Sequence, residues 1–113
     1  MAESDSIIIK MYDILLYAMP IINKFPRDYK FVLGDRIQQT LISTFEALLE
    51  AYYSVRSEKK SILSKVNVSL EKLRYLARLC YDLKLISNDR YQYLVERYNE
   101  VGKMVGGWIK VLS

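Results

Sequence analysis

Apolar residues recur every three or four positions over four long stretches of the chain, which is the one-sided period of an amphipathic α-helix. The period is cleanest in the last two stretches, where it forms the heptad seam of bundle packing. The seam residues are Leu63, Val66, Leu70, Leu73, Ala77 and Cys80, followed by Tyr91, Leu94, Tyr98, Val101, Val105, Trp108 and Leu112. The predicted helices cover about residues 6–24, 33–57, 61–85 and 88–112.

Helix-start signals and short connections set the expected topology. Ser4, Asp5 or Ser6 can cap the first helix, and Ser87 can cap the fourth. The polar residues 57–61 are predicted to connect the second and third helices, and this break is too short to separate domains. The chain is therefore predicted to be a single domain, an all-α, antiparallel, up-down-up-down four-helix bundle.

A proline-marked corner joins the first two helices. Pro26 disfavours the helical conformation at Phe25 and so predicts the end of the first helix. The polar residues 27–30 form the connection. Phe25 on one side and Phe31 with Leu33 on the other are expected to fold onto a shared core.

The composition agrees with an all-α fold and excludes several kinds of site. The 113 residues are half apolar and include only four glycines and two prolines, which suits long helices. A single cysteine, Cys80, excludes an internal disulfide, and the absence of histidine leaves almost nothing for a zinc site. An acidic N-terminal segment, and no apolar run that approaches the length of a membrane span, predict a cytoplasmic protein.

Catalytic patterns are missing from the sequence. Without histidine, acid–base chemistry would rest on carboxylates, lysine or tyrosine, and the acids fall on separate solvent-facing stripes. None of the glycines follows a predicted strand, so neither a phosphate loop nor a dinucleotide fingerprint is present. Cys80 occupies a seam position and is interpreted as a core residue. We predict a protein that is not an enzyme and has no cofactor or metal.

Charge is unevenly distributed along the chain. The net charge is +4 and the pI is near 9.1. Residues 1–55 carry five bases against seven acids, whereas residues 56–113 carry twelve against six. A basic half of this kind is compatible with a polyanionic partner.

The outward side of the third helix interleaves bases with tyrosines. Its members are Lys65, Lys72, Arg74, Tyr75, Arg78, Tyr81 and Lys84. Guanidinium groups there can contact phosphates, and the rings can stack on unpaired bases. The alternative is a solvated face on which Glu71 and Asp82 neutralise their neighbours. Charge alone does not separate the two interpretations.

Ten tyrosines are too many for the core of one small bundle, and tyrosine is enriched at protein interfaces. A homo-oligomer is therefore predicted, unless some rings lie partly exposed as single amphipathic side chains.

Four segments together resemble the accessory variability (Avd) family of diversity-generating retroelements. They are Phe25-Pro-Arg-x-x-Lys-Phe-x-Leu-Gly-Asp-Arg-Ile37, Leu49-Glu-Ala-Tyr52, Leu70-Glu-Lys-Leu-Arg74 with Arg78-Leu-x-x-Asp-Leu83, and Val101-Gly-Lys-Met-Val-Gly-Gly-Trp-Ile-Lys110. Related four-helix proteins encoded in intervening sequences of ribosomal RNA genes share the Phe-Pro corner. They typically carry Asn-Ile-Ala-Glu-Gly in the second helix, where this chain has Leu48-Leu-Glu-Ala-Tyr52.

The resemblance implies a pentameric barrel of four-helix bundles that binds RNA and DNA and partners a reverse transcriptase during mutagenic retrohoming. Together with the charge pattern, it makes a non-enzymatic nucleic-acid-binding accessory protein the leading hypothesis. The rival is a helical protein-interaction scaffold without nucleic-acid binding. The predicted phosphate contacts are, in order, Lys72, Arg74 and Arg78, then Arg27, Lys30 and Arg36, then Lys103 and Lys110.

Overall fold

The computed structural model describes residues 3–113 and contains four long helices, with no strand among these residues. The helices are α1 (Glu3–Asn23), α2 (Asp35–Tyr53), α3 (Arg56–Asp82) and α4 (Asn88–Leu112). Helices α1 and α3 each pack against both α2 and α4, so the four form a closed bundle. The bundle measures 43 × 23 × 21 Å.

The core is built from the apolar stripes predicted from the period. Every predicted seam residue of α3 is buried, and in α4 the buried seam residues are Leu94, Tyr98, Val101 and Val105. Tyr91, Trp108 and Leu112 are half-buried and pack against the core. Burying these side chains is the main stabilising contribution in a chain of this size.

The start of α4 agrees with its prediction, whereas the start of α1 does not. Helix α4 agrees with its predicted range, and the hydroxyl of Ser87 caps it by accepting a hydrogen bond from the Arg90 backbone NH (3.2 Å). Helix α1 begins at Glu3, before the predicted start. The side chains of Ser4 and Asp5, two of its candidate caps, lie outside the described part of the chain.

The predicted connection at residues 57–61 is wrong, because these residues are helical. The chain turns earlier, at Ser54 and Val55, which are both extended. The Lys59 ammonium then donates hydrogen bonds to the carbonyl oxygens of Ala51 (2.7 Å) and Tyr52 (2.9 Å). It thereby satisfies carbonyls at the end of α2 that lack helical partners. The polar run is the exposed first part of α3.

Helix α3 ends at Asp82, three residues before its predicted end. Lys84 adopts a left-handed backbone with φ of 62°, which turns the chain out of the helix. The Leu85 NH donates to the Cys80 carbonyl oxygen (2.8 Å), and the Lys84 NH donates to that of Tyr81 (2.9 Å). This is the hydrogen-bond pattern of a Schellman motif, a turn in which glycine is usual.

The corner between α1 and α2 contains one α-helical turn (Arg27–Tyr29) and a π-helical segment (Lys30–Gly34). Phe25 is buried and Leu33 is half-buried, but Phe31 is 60% exposed. The expectation that Phe31 packs into the core is therefore wrong. The π turn accommodates an extra residue and shifts the helical phase, so that Gly34 packs against α1 and Phe31 faces outward. A Cβ at Gly34 would lie 3.0 Å from the Ile22 side chain.

The expectation that no apolar run approaches the length of a membrane span is wrong. Within residues 3–113, the segment Ser6–Asn23 of α1 is long and apolar enough to cross a membrane by length and composition alone. It passes this test because one face carries core residues such as Ile7, Met11 and Ile14, while Ile9 and Leu16 add apolar side chains outside the core.

Candidate nucleic-acid interface

A groove between α2 and α3 brings together candidate residues from two separate parts of the sequence. Arg36, in the first turn of α2, lines it with Lys72 and Tyr75 of α3. The groove has a volume of about 540 Å³. Its other lining residues are Thr40, Ser43, Val68, Ser69, Glu71 and Leu76. We call this feature the α2/α3 groove.

The basic side chains of the α2/α3 groove are available to a ligand. Arg36 and Lys72 are exposed, and within residues 3–113 neither side chain makes an ion pair or a hydrogen bond. Tyr75 lies three residues after Lys72, which places the two side by side on α3, and it is 72% exposed. Two unpaired cations beside an exposed ring offer phosphate contacts and a surface on which a base can stack.

The groove also contains a carboxylate, Glu71, whose charge is already partnered. Glu71 Oε2 lies 2.7 Å from Arg74 Nη1, and the two residues are three apart on α3. This pairing offsets the repulsion that an isolated carboxylate would exert on a phosphate near Lys72.

Arg74 links α3 to α4 with the donors that a phosphate would need. Its Nε donates to Asn99 Oδ1 (2.7 Å), and its Nη2 donates to the carbonyl oxygen of Tyr98 (3.4 Å). A Cβ at Gly102 would lie only 2.8 Å from Arg74 Nη2, so the glycine provides the space that the guanidinium occupies. The Arg74 side chain is 25% exposed. A ligand at this position must compete with contacts inside the bundle.

Arg78, one turn further along α3, is exposed and paired with Asp82. Its Nε lies 3.1 Å from each carboxylate oxygen of Asp82. The hydrogen bond and charge of Asp82, followed by contact with Tyr91, raise the pKa of Arg78 above its usual range. Asp82 and Glu71 thus neutralise Arg78 and Arg74, as the solvated-face interpretation expects for this part of α3.

The remaining predicted residues lie in other places on the bundle. Arg27 and Lys30 flank the exposed ring of Phe31 at the corner between α1 and α2. Lys103 is exposed on α4 beside Asn99, and Lys110 is exposed in the last turn of the same helix. The eight predicted residues therefore occupy several surfaces, and only Arg36 and Lys72 meet in the α2/α3 groove.

Sequence reasoning missed the apolar members of the α3 surface. Val68 is 57% exposed and Leu79 is 42% exposed, on the same side of α3 as Tyr75. A second 3,4 repeat, through Lys65, Val68, Lys72, Tyr75 and Leu79, carried this information in the sequence. It runs beside the core seam and marks a surface on which apolar and basic side chains alternate.

The thiol of Cys80 is a core group. Burial raises the pKa of Cys80 from 9.0 to about 11. Burial also raises the pKa of Tyr98, to which the nearby Cys80 adds a smaller effect. A thiol that stays protonated and is 3% exposed is a poor nucleophile, so the interpretation of Cys80 as a core residue is confirmed.

Comparison with known proteins identifies the family of the chain. The model of the bAvd-like family matches residues 6–112. The fold is similar to the crystal structure of a protein of unknown function from the S23 ribosomal protein family of Bacteroides thetaiotaomicron. That match has a TM-score of 0.87 and 16% sequence identity, and it covers 96% of this chain and 99% of the other. No curated protein matches the sequence.

Proposed function

Because the chain belongs to the bAvd-like family, we propose that it is a non-enzymatic accessory protein that binds RNA and DNA and associates with a reverse transcriptase of a diversity-generating retroelement. The family match extends from residue 6 to residue 112, so it includes both the corner and the α2/α3 groove. The accessory role is the one implied by the resemblance of the four sequence segments.

The observation that carries nucleic-acid binding is the α2/α3 groove. Arg36 and Lys72 keep their charges unpaired there, beside the exposed ring of Tyr75. We therefore place Arg36 and Lys72 first among the phosphate contacts. Arg74 and Arg78 follow, because their partners within the bundle must be displaced or shared before they can bind a phosphate.

The proposal includes assembly into a homo-oligomer, a pentamer by resemblance, of antiparallel bundles. Contacts of Lys10 with Glu100 and of Tyr17 with Tyr93 support an antiparallel course for α1 and α4. Exposed apolar residues support assembly, because a monomer would leave them in water. On α1 and α2 they include Ile9, Tyr12, Leu16 and Ile42. Assembly would multiply the modest charge of one chain and strengthen its attraction for a polyanion.

A helical protein-interaction scaffold is the second candidate. Exposed apolar side chains at the end of the bundle that lies opposite the corner favour the scaffold. Tyr53 is 81% exposed there, Val55 64% and Val111 72%. Apolar side chains in this number at one end are typical of a protein contact. Such a contact would be much less sensitive to salt than phosphate binding.

Binding across a salt series separates the two candidates. The purified protein is titrated with a structured RNA and with a DNA duplex, and its oligomeric state is measured by light scattering in the same buffers. The proposal predicts an oligomer whose logarithmic affinity falls linearly with logarithmic salt concentration. Absence of binding at low salt would contradict nucleic-acid binding and favour the scaffold.

A further inference from the structure

An aromatic side chain is held in solvent at the corner between α1 and α2. Phe31 is 60% exposed and the adjacent Val32 is 76% exposed, although both follow the buried Phe25 closely in sequence. The π-helical segment fixes this outward position, because Gly34 rather than Phe31 packs against Ile22. The fold therefore keeps a large ring out of a core that it could have joined.

Two cations accompany this ring. Arg27 Cζ lies 5.9 Å from the ring centroid of Phe31, and Lys30 Nζ lies 5.7 Å from it. Within residues 3–113 neither cation makes an ion pair or a hydrogen bond through its side chain. Residues 24–36 contain four bases and two acids, so the corner attracts anions.

The combination fits one ligand class better than others. Arg27 and Lys30 lie over the ring of Phe31, so a base that stacks on it moves these cations toward the phosphates on either side, which they can contact. Base pairs in a duplex bury their faces, so only an unpaired nucleotide can use the ring. A lipid surface is disfavoured because Asp28 and Asp35 are exposed beside the two apolar residues and would meet the headgroups.

The corner is also continuous with the α2/α3 groove. Arg36, which lines the groove, follows Phe31 by five residues and lies in the first turn of α2. Five residues advance at most about 7.5 Å along the axis, because Lys30–Gly34 is π-helical and rises less per residue than an α-helix. Arg36 and Phe31 are therefore close together along the chain, at neighbouring ends of the groove and the corner.

We propose that an unpaired nucleotide stacks on Phe31 at this corner while Arg27 and Lys30 contact its phosphates. The inference rests on the proposed function and deepens it, because it assigns single-stranded nucleic acid to the corner beside the groove. It also gives a role to an exposed ring that bundle packing does not explain.

The test compares Phe31→Ala with Phe31→Tyr and with the neighbouring control Val32→Ala, using the full chain. Fluorescence anisotropy measures binding of a labelled oligothymidylate and of a blunt DNA duplex at one salt concentration. Phe31→Ala is expected to weaken oligothymidylate binding about 5- to 100-fold and to leave duplex binding unchanged. Phe31→Tyr keeps a ring and is expected to bind like the wild type, as is Val32→Ala. Both positions are at the surface, so folding is expected to be retained.

Three outcomes overturn the inference. Equal losses for duplex and oligothymidylate would reduce Phe31 to a structural role, and an unchanged Phe31→Ala would remove it from binding. If Phe31→Ala lost binding to anionic phosphatidylserine vesicles but kept oligothymidylate binding, the corner would be assigned to lipid. Each of these leaves the proposed function standing if the wild type binds nucleic acid, whereas a wild type that binds neither probe at low salt contradicts both.

Discussion

On the side of α3 that faces α2, Lys72 is exposed beside Arg36, and neither cation has a partner among residues 3–113. On the side that faces α4, Arg74 donates to Asn99, Glu71 and the Tyr98 carbonyl oxygen. Lys72 and Arg74 are two residues apart and carry the same charge. One is available to a ligand, while the other is part of the contact between two helices.

The difference shows that equal charges on one helix are not equally available to a ligand. A guanidinium whose donors are satisfied inside the bundle must give up those bonds to bind a phosphate, whereas an unpaired ammonium loses only water. Under the proposed function, the α4 side of α3 is structural and the α2 side is the binding surface.

The largest expected effect is on stability. Arg74→Met keeps the apolar stem of the side chain but removes its hydrogen bonds to Asn99 and to Tyr98, so we expect a loss of about 2 kcal/mol in the free energy of unfolding. Urea denaturation measures this loss. Arg78→Met is the matched control, because the pair of Arg78 with Asp82 is at the surface and its removal is expected to have no measurable effect. Equal losses in the two variants would contradict a special structural role for Arg74.

Alkaline pH is expected to lower the free energy of unfolding, because it ionises the buried thiol of Cys80 on α3. Cys80 has its pKa raised by burial, so the folded state holds the proton more tightly than the unfolded state. The stability contribution is fully present below pH 9 and is lost as the pH rises from 9.0 toward about 11, by about 2 kcal/mol. Tyr98, with its pKa also raised, adds to the loss at higher pH.

Urea denaturation at several pH values between 8 and about 11 measures this dependence. Cys80→Ala loses stability at every pH because it leaves a cavity, but its further decline toward high pH should be smaller than that of the wild type. An identical decline in the two proteins would exclude Cys80 as the titrating group.

Gly102→Ala tests the space reserved for Arg74. In the interior of a helix such as α4, alanine is more favourable than glycine by about 1 kcal/mol. Its Cβ, however, would lie 2.8 Å from Arg74 Nη2 and would displace the guanidinium. We expect Gly102→Ala to be stabilising by about 1 kcal/mol in an Arg74→Met background and close to neutral in the wild type. A double-mutant cycle measures the coupling. Additive effects would show that the glycine and the arginine are independent.

Sequence could predict the parts of the fold that depend on local period. The seam of α3 and the cap at Ser87 were confirmed because an apolar repeat and a helix-start residue act over a few positions. The π turn was not predictable in this way, because the outward position of Phe31 depends on how Gly34 meets Ile22 on another helix.

The candidate site was only partly predictable for the same reason. Arg74 and Lys72 look equivalent along the chain, yet the partner of Arg74 Nε is Asn99, 25 residues away. Arg36 belongs to the corner in sequence and to the α2/α3 groove in space. Charge and period identify basic residues, but the availability of each depends on tertiary contacts.

The most direct test compares Lys72→Gln with Arg78→Gln in binding to a DNA duplex across a salt series. Each variant loses one positive charge from the exposed surface of α3, and only Arg78 has an acidic partner. The account predicts that Lys72→Gln weakens binding severalfold and lowers the slope of logarithmic affinity against logarithmic salt by about 0.9, as the loss of one phosphate contact would. Arg78→Gln should change both quantities less, because Asp82 must be displaced or shared before Arg78 can contact a phosphate. A larger loss for Arg78→Gln than for Lys72→Gln would contradict the assignment of the α2/α3 groove as the binding surface.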